Sequence, residues 1–261
     1  MITDAKEKAT LFNEYFTSRC ELENVDSPLP NVTVFQNFKH LSNISTSERE
    51  VKILLNSVDG SKACGVDGVG NSLIRASADG ITNSFLRFIT ISLSKGIFPS
   101  MWKLANVIPI FKKDDRQLKE NVRPVSLLIS LSKIIEKIVF IRLYNFLLEI
   151  HFLYPFQSGF RPGDSTVNQL VFIVHKIYEA LEQGKEVRMV FLDISKAFDK
   201  VWHKGLLYKL ESLGVRDPVL KWIKSYLTGR KQRVIIDGQS SDWREIEAGV
   251  PQGSVLGPLL F

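Results

Sequence analysis

Hydrophobic positions along this chain follow two spacings, helical and alternating, and the switch between them marks its elements. Leu11, Phe12, Tyr15 and Phe16 fall on one side of a helix predicted over residues 1–19. The polar, proline-containing stretch "ENVDSPLPNVTVFQNF" then reads as a linker. "SEREVKILLN", residues 47–56, predicts a short helix, with Ser47 and Glu50 spaced as a capping box. The glycine-rich "GSKACGVDGVGNSLIR" predicts a turn-rich loop and lacks the lysine–serine ending of a phosphate-cradling P-loop. Residues 81–95 return to helical spacing, closed by Gly96 and Pro99.

The pattern then becomes strand-like. "NVIPIF" and "VRPVSLL" flank a charged tip, so residues 105–128 predict a β-hairpin. Ser132 is the expected cap of a helix turning Ile134, Ile135, Ile138, Val139, Leu143, Phe146 and Leu147 inward. Residues 166–184 predict another, with Val167, Leu170, Val171, Val174, Ile177 and Leu181 at helical spacing. "VRMVFLDI", residues 187–194, predicts a strand in the same sheet as the hairpin. Helices are expected over 196–213 and 218–228, the second set between Asp217-Pro218 and Gly229. "RVIIDG" predicts a strand entering a turn, and "PQGS" a proline-started helix N-terminus. Helices and a sheet together give an α/β (α+β) fold class, with no internal repeat.

Composition narrows the function classes. Hydrophobic residues at 44% and charged residues at 24% suit a chain with a real core. The net charge of +6 tolerates a polyanionic partner without requiring one. Cys20 and Cys64 lie far apart with no further Cys or His at ligand spacing, which excludes a disulfide framework and a zinc site. A reduced compartment, cytoplasm or nucleus, is expected. The most apolar region, residues 134–150, carries Glu136, Lys137, Arg142 and Glu149, so no membrane span is expected. The start of the chain lacks the apolar core of a signal peptide.

Candidate chemistry concentrates in "VFLDISKAFDKVWHKGLL". Asp193 ends an apolar strand, where an aspartate reads either as a helix N-cap or as a ligand for Mg²⁺, which completes its shell with substrate phosphates. Asp199 and His203 are four apart and are expected to pair within one helix. Lys200 and Lys204 are expected to be solvated. At the hairpin tip, Lys112, Lys113 and Arg123 read either as a solvated turn or as phosphate contacts, Lys being a mobile point charge and Arg a rigid fork.

Four blocks carry a family resemblance: "NVRPVSLL" with "SKIIEKI", "YPFQSGFRPGDSTVNQL", "FLDISKAFDKV" and "AGVPQGSVLGPLLF". Together they resemble the reverse transcriptases of non-LTR (LINE-type) retrotransposons, near the jockey and chicken-repeat elements. The resemblance is strong from about Trp102 to Phe261. Residues 1–100, with "LFNEYF" and "KACGVDGV", resemble the segment preceding the polymerase core, so the chain is expected to divide into a 1–100 helical extension and a 101–261 reverse transcriptase domain.

The resemblance implies the fingers and a partial palm of a right-hand polymerase. It implies RNA-directed synthesis of DNA, with an RNA template, a DNA primer and dNTPs as partners. Two Mg²⁺ ions, or Mn²⁺, would serve the transfer onto the primer 3′-hydroxyl. It makes Asp193 a catalytic metal ligand and gives Ile194 a backbone carbonyl on the same metal. Phe198, otherwise a core phenylalanine, becomes the steric gate against a ribose 2′-hydroxyl. Lys112, Lys113 and Arg123 would lie over the triphosphate, and Arg161 near the template. Gln252 would reach the nucleotide sugar or templating base, with Gly253 allowing close backbone approach. The family's Ala-Asp-Asp hairpin does not occur before Phe261, and Asp114-Asp115 lie upstream of Asp193 and cannot replace it. The fold is therefore expected to be C-terminally incomplete and the chain inactive alone. The alternative expectation is a non-catalytic truncated element product or nucleic-acid-binding remnant.

Overall fold

In the computed structural model, which describes residues 3–22, 28–29, 39–112, 115 and 118–261, the hairpin read from the sequence sits within a small sheet. β1 (Leu104–Phe111) and β2 (Val122–Leu127) pair antiparallel, with Asn106 opposite Leu127 and Phe111 opposite Val122. On its other side β1 runs parallel to β3 (Arg230–Ile236), Leu104 facing Lys231. Asp237 and Gly238, both at positive φ, turn the chain into β4 (Gln239–Ser240). β5 (Arg244–Ile246) pairs antiparallel with β3. The linker at 23–38 lies for the most part outside the described residues, as do Lys113 and Asp114. The chain forms two compact units, one of residues 1–144 with 196–261 and one of residues 145–195.

In the first unit, α1 (Ala5–Ser18) packs on this sheet. It starts where the Asp4 carboxylate accepts the Glu7 N–H at 2.8 Å. Ala9 and Phe16 join Val107, Val122 and Val234 in one buried cluster. Asn13 is buried between them. Its amide donates to the Asp242 carbonyl at 2.8 Å, and its oxygen accepts from Gln232 at 3.2 Å. Ala9, Asn13 and Phe16 are fully buried, Phe12 and Tyr15 pack half-buried against the same cluster, and Leu11 is exposed.

α2 (Glu48–Asn56) is capped by Ser47, but only half the expected box forms. The Glu50 carboxylate forks onto Arg142 instead, and that guanidinium holds its pKa below the usual carboxylate value. After α3 (Asn71–Ala76), α4 (Ala78–Lys95) packs against α2 and ends at Gly96 in the left-handed region. α5 (Ser130–Glu149) begins before the expected Ser132 cap. Ser132 is buried inside it, donating its hydroxyl to the Ile129 carbonyl at 2.7 Å. All seven residues expected inward on α5 are buried.

The single helix expected over 196–213 is broken. Residues 197–200 form one 3₁₀ turn, Val201 and Trp202 are extended, and α7 (His203–Ser212) starts afresh. α8 (Val219–Leu227) follows, with Trp222 and Tyr226 packed edge-on to Phe98 at 5.3 and 5.1 Å. α9 (Gly257–Leu260) closes the described chain.

In the second unit, Ser165 caps α6 (Thr166–Glu182) by accepting the Asn168 N–H at 3.2 Å. The helix forms as its spacing predicts, but its apolar stripe is not inward. Val167, Leu170, Val171, Val174 and Leu181 are exposed and Ile177 is half-buried. The strand expected at 187–194 does not form, and among the described residues none pairs with it; Phe191 and Leu192 are 84% and 91% exposed. Strand preference of such residues expresses packing against cross-strand neighbours more than a backbone tendency, and here there are none. The hairpin's sheet is completed by β3 instead. No helix among the described residues is long and apolar enough to cross a membrane.

Candidate functional site

The segment from Gly249 to Leu256 is held against β2, the 197–200 turn and α5 by its own backbone. Gly249 donates to the Val201 carbonyl at 2.9 Å and Val250 to the Phe198 carbonyl at 2.8 Å. The Gln252 carbonyl accepts the Ser126 N–H at 2.8 Å. Gly253 sits at φ 120°, and a Cβ there would lie 2.7 Å from the Ser126 carbonyl oxygen. Only glycine lets the loop rest this closely on β2.

Beyond it, the N–H groups of Val255 and Leu256 donate to one oxygen of Glu136 at 2.8 and 3.3 Å. Glu136 is fully buried within α5. Burial pushes its carboxyl pKa up, opposed only in part by the Arg230 charge and these two N–H groups. The Tyr226 hydroxyl lies 3.4 Å away, its own pKa raised by burial and by Glu136. Sequence reasoning treated Glu136 only as a charge interrupting an apolar run. Its register with Ser132, Val139 and Leu143 places it on the inward face, and that was the available signal.

Asp199 occupies the other side of the loop. It is buried, forms an ion pair with Arg19 at 2.6 Å, and accepts the Gln252 side-chain N–H at 2.9 Å. The expected Asp199–His203 pair does not form, because the two residues belong to separate helical segments. The His203 ring N–H donates to the Gly249 carbonyl at 2.7 Å instead, the carbonyl being able only to accept. Burial holds the His203 pKa below its ordinary 6.5, with Arg230 adding to the effect and the Gly249 hydrogen bond opposing it. Beside Asp199, the Cys20 thiol is pushed up to about 12, chiefly by burial and further by the Asp199 charge. Lys200 is not simply solvated: its ammonium donates to the Glu21 carbonyl at 2.7 Å, while Lys204 is exposed. Phe198 stacks on Phe261 with ring centroids 5.1 Å apart.

Arg123 is exposed on β2 opposite Ile110, and Lys112 is exposed just past β1. Lys113 lies outside the described residues. The first unit holds the Gln252–Gly253 loop against Ser126 of β2 and against the backbone of Phe198, while Arg123, exposed, lies three residues along β2 from Ser126. Asp193, Ile194 and Arg161 lie in the second unit. Arg161 is half-buried in a turn, its N–H donating to the Ser158 carbonyl and its carbonyl accepting from Asp164. Asp193 and Ile194 lie in the exposed stretch before Lys196, with Ile194 70% exposed. Among the described residues no group of three His, Cys, Asp or Glu side chains could hold a metal ion. Asp193 alone does not fit a pair of Mg²⁺ ions, which need several oxygen ligands.

Comparison with known proteins gives these residues a context. The family model for reverse transcriptase (RNA-dependent DNA polymerase) matches residues 110–261. The chain is 40% identical over 213 residues to the RNA-directed DNA polymerase from mobile element jockey of Drosophila funebris, covering 81% of this chain and 23% of that protein. It is 37% identical over 201 residues to the probable RNA-directed DNA polymerase from transposon BS of Drosophila melanogaster, covering 77% and 22%. It is 30% identical over 176 residues to the retrovirus-related Pol polyprotein from type-1 retrotransposable element R2 of Popillia japonica, covering 67% and 24%. The chain spans about a quarter of the length of these relatives.

Proposed function

Since this chain belongs to the reverse transcriptase family, we propose that it supplies part of the active site of an RNA-directed DNA polymerase of the non-LTR retrotransposon kind. The observation that carries this is the bond from the Ser126 N–H to the Gln252 carbonyl, 2.8 Å long. It lays the Gln252–Gly253 loop on the strand that bears Arg123, so a group suited to phosphate and a group suited to a sugar or base share one support. The hairpin acts as fingers, and the sheet with its loop acts as part of a palm, within a polymerase domain at 101–261 preceded by the 1–100 extension.

In this reading Lys112, Lys113 and Arg123 meet the dNTP triphosphate, Gln252 meets the sugar or templating base, and Arg161 meets the RNA template. The Phe198 ring excludes a 2′-hydroxyl, and its stacking on Phe261 supports it as a rigid wall. Asp193 and Ile194 are assigned as partial ligands of a divalent cation, Mg²⁺ or Mn²⁺, whose remaining oxygen ligands the described residues do not supply.

Fluorescence anisotropy of a labelled DNA primer on an RNA template tests the reading in the 261-residue chain. Binding should fall steeply with salt, because each phosphate neutralised by Lys or Arg releases counterions. No binding, or binding indifferent to salt, would refute it.

A further inference from the structure

We propose that Arg19, just past the end of α1, is a positioning residue for Gln252, acting through Asp199. The proposal rests on the polymerase reading for what Gln252 touches; the positioning itself rests on geometry. Arg19 and Asp199 are paired at 2.6 Å with side chains only 11% and 7% exposed. The other Asp199 oxygen accepts the Gln252 amide N–H at 2.9 Å. A carboxylate can only accept, so it takes the NH₂ end of the carboxamide and leaves the carbonyl oxygen as the free acceptor. The pair therefore decides which way round the Gln252 amide stands. With its backbone carbonyl already held by Ser126, Gln252 is fixed at both ends. The matched ligand group is one that donates to an oxygen, such as a sugar hydroxyl or a base N–H.

Arg19 is itself well held. Its guanidinium lies over the Tyr15 ring at 5.5 Å, and α1 is pinned to the sheet by Asn13 and by the Glu14–Arg244 pair. The cavity beside the network is about 40 Å³, lined by Phe16, Cys20, Asp199, Gly249, Pro251 and Gln252. That volume holds a few waters and is too small for a nucleotide. The network thus does not bind the ligand but aims the side chain that does. Removing Arg19 leaves a buried carboxylate without its counter-charge and releases the amide's orientation. In this way the helix preceding the polymerase core becomes part of the nucleotide site.

Two readouts on the whole chain test this. The first is the side-chain amide signal of Gln252 in ¹⁵N-labelled protein, assigned by its loss in Gln252→Ala. It should be exchange-protected in the wild type, keep much of that protection in Arg19→Lys, and lose it in Arg19→Met. Asp199→Asn, nearly isosteric, should also lose it, and it decides the question where Arg19→Met fails to fold. Unchanged protection in whichever of the two folds overturns the proposal.

The second readout is dNTP affinity in the complex with primer–template. Arg19→Met should weaken it about fivefold in the wild-type background and leave it unchanged in a Gln252→Ala background, the coupling expected of residues in one network. A loss that persists without Gln252 means a merely structural role and also overturns the proposal. A wild-type chain that binds no dNTP contradicts the polymerase reading instead, and the amide signal still decides the role of Arg19.

Discussion

Glu136, buried inside α5, accepts the backbone N–H of Val255 at 2.8 Å and so ties the loop that carries Gln252 to the middle of a helix far away in sequence. Glu136→Ala should therefore leave two buried N–H groups unpaired and a cavity beside them, costing about 3 kcal/mol. Glu136→Gln keeps an acceptor and the volume while removing the charge. It should stay within about 1 kcal/mol of the wild type at neutral pH. Urea unfolding measures both, and equal losses would contradict the assignment. The pH dependence has a definite sign. A carboxyl raised in the folded state stabilises below its unfolded value of 4.5 and loses that contribution as pH rises through the folded value. Glu136→Gln should gain on the wild type as pH increases.

Gly253→Ala should disrupt the loop from strain and contact together. The backbone sits at φ 120°, and the new Cβ would meet the Ser126 carbonyl oxygen at 2.7 Å. A loss of about 2 kcal/mol or more is expected. Gly80→Ala, in α4 with nothing within 4 Å of the new methyl, should be neutral or stabilising by up to about 1 kcal/mol. Similar melting shifts for the two variants would contradict this.

His203 gives the fold an acid-sensitive contact of opposite sign to Glu136. Its pKa is lowered in the folded state, so the unfolded chain binds the extra proton first. Its contribution is complete above 6.5 and is lost as pH falls toward the folded value. Between about pH 7 and pH 5 the urea midpoint of the wild type should fall relative to that of His203→Gln. Identical slopes would show that the Gly249 contact carries no such linkage.

Much of this was legible in the sequence because its signals were local. The hairpin at 105–128 has a strand-like run on each arm and a charged tip between them, and the two arms pair antiparallel. The α5 residues from Ile134 to Leu147 have a spacing that specifies one buried face. The expectations that failed depended on partners that spacing does not reveal. Val190 to Ile194 have strand-forming side chains but no neighbouring strand among the described residues. The α6 stripe has the right period, yet it faces solvent. Asp199 and His203 are correctly spaced for one helix, but the chain leaves helical geometry between them, and each takes a partner distant in sequence. Arg19 carried no motif; only the docking of α1 on the sheet brings it to Asp199.

For the hairpin proposed as fingers, Lys112→Ala and Arg123→Ala should each weaken primer–template binding and lower the slope of log affinity against log salt by about 1. Both side chains are exposed, so folding should be unaffected. Filter binding at several salt concentrations reads the slope. An unaltered slope in both variants would remove them from the nucleic-acid and triphosphate surface.

The most direct measurement of the central claim is RNA-templated DNA synthesis by a full-length polymerase carrying this segment, supplied with Mg²⁺ and either dNTPs or rNTPs. The account predicts incorporation of dNTPs that Asp193→Ala abolishes, and a Phe198→Ala variant that keeps DNA synthesis while admitting ribonucleotides. DNA synthesis undiminished by Asp193→Ala would contradict it.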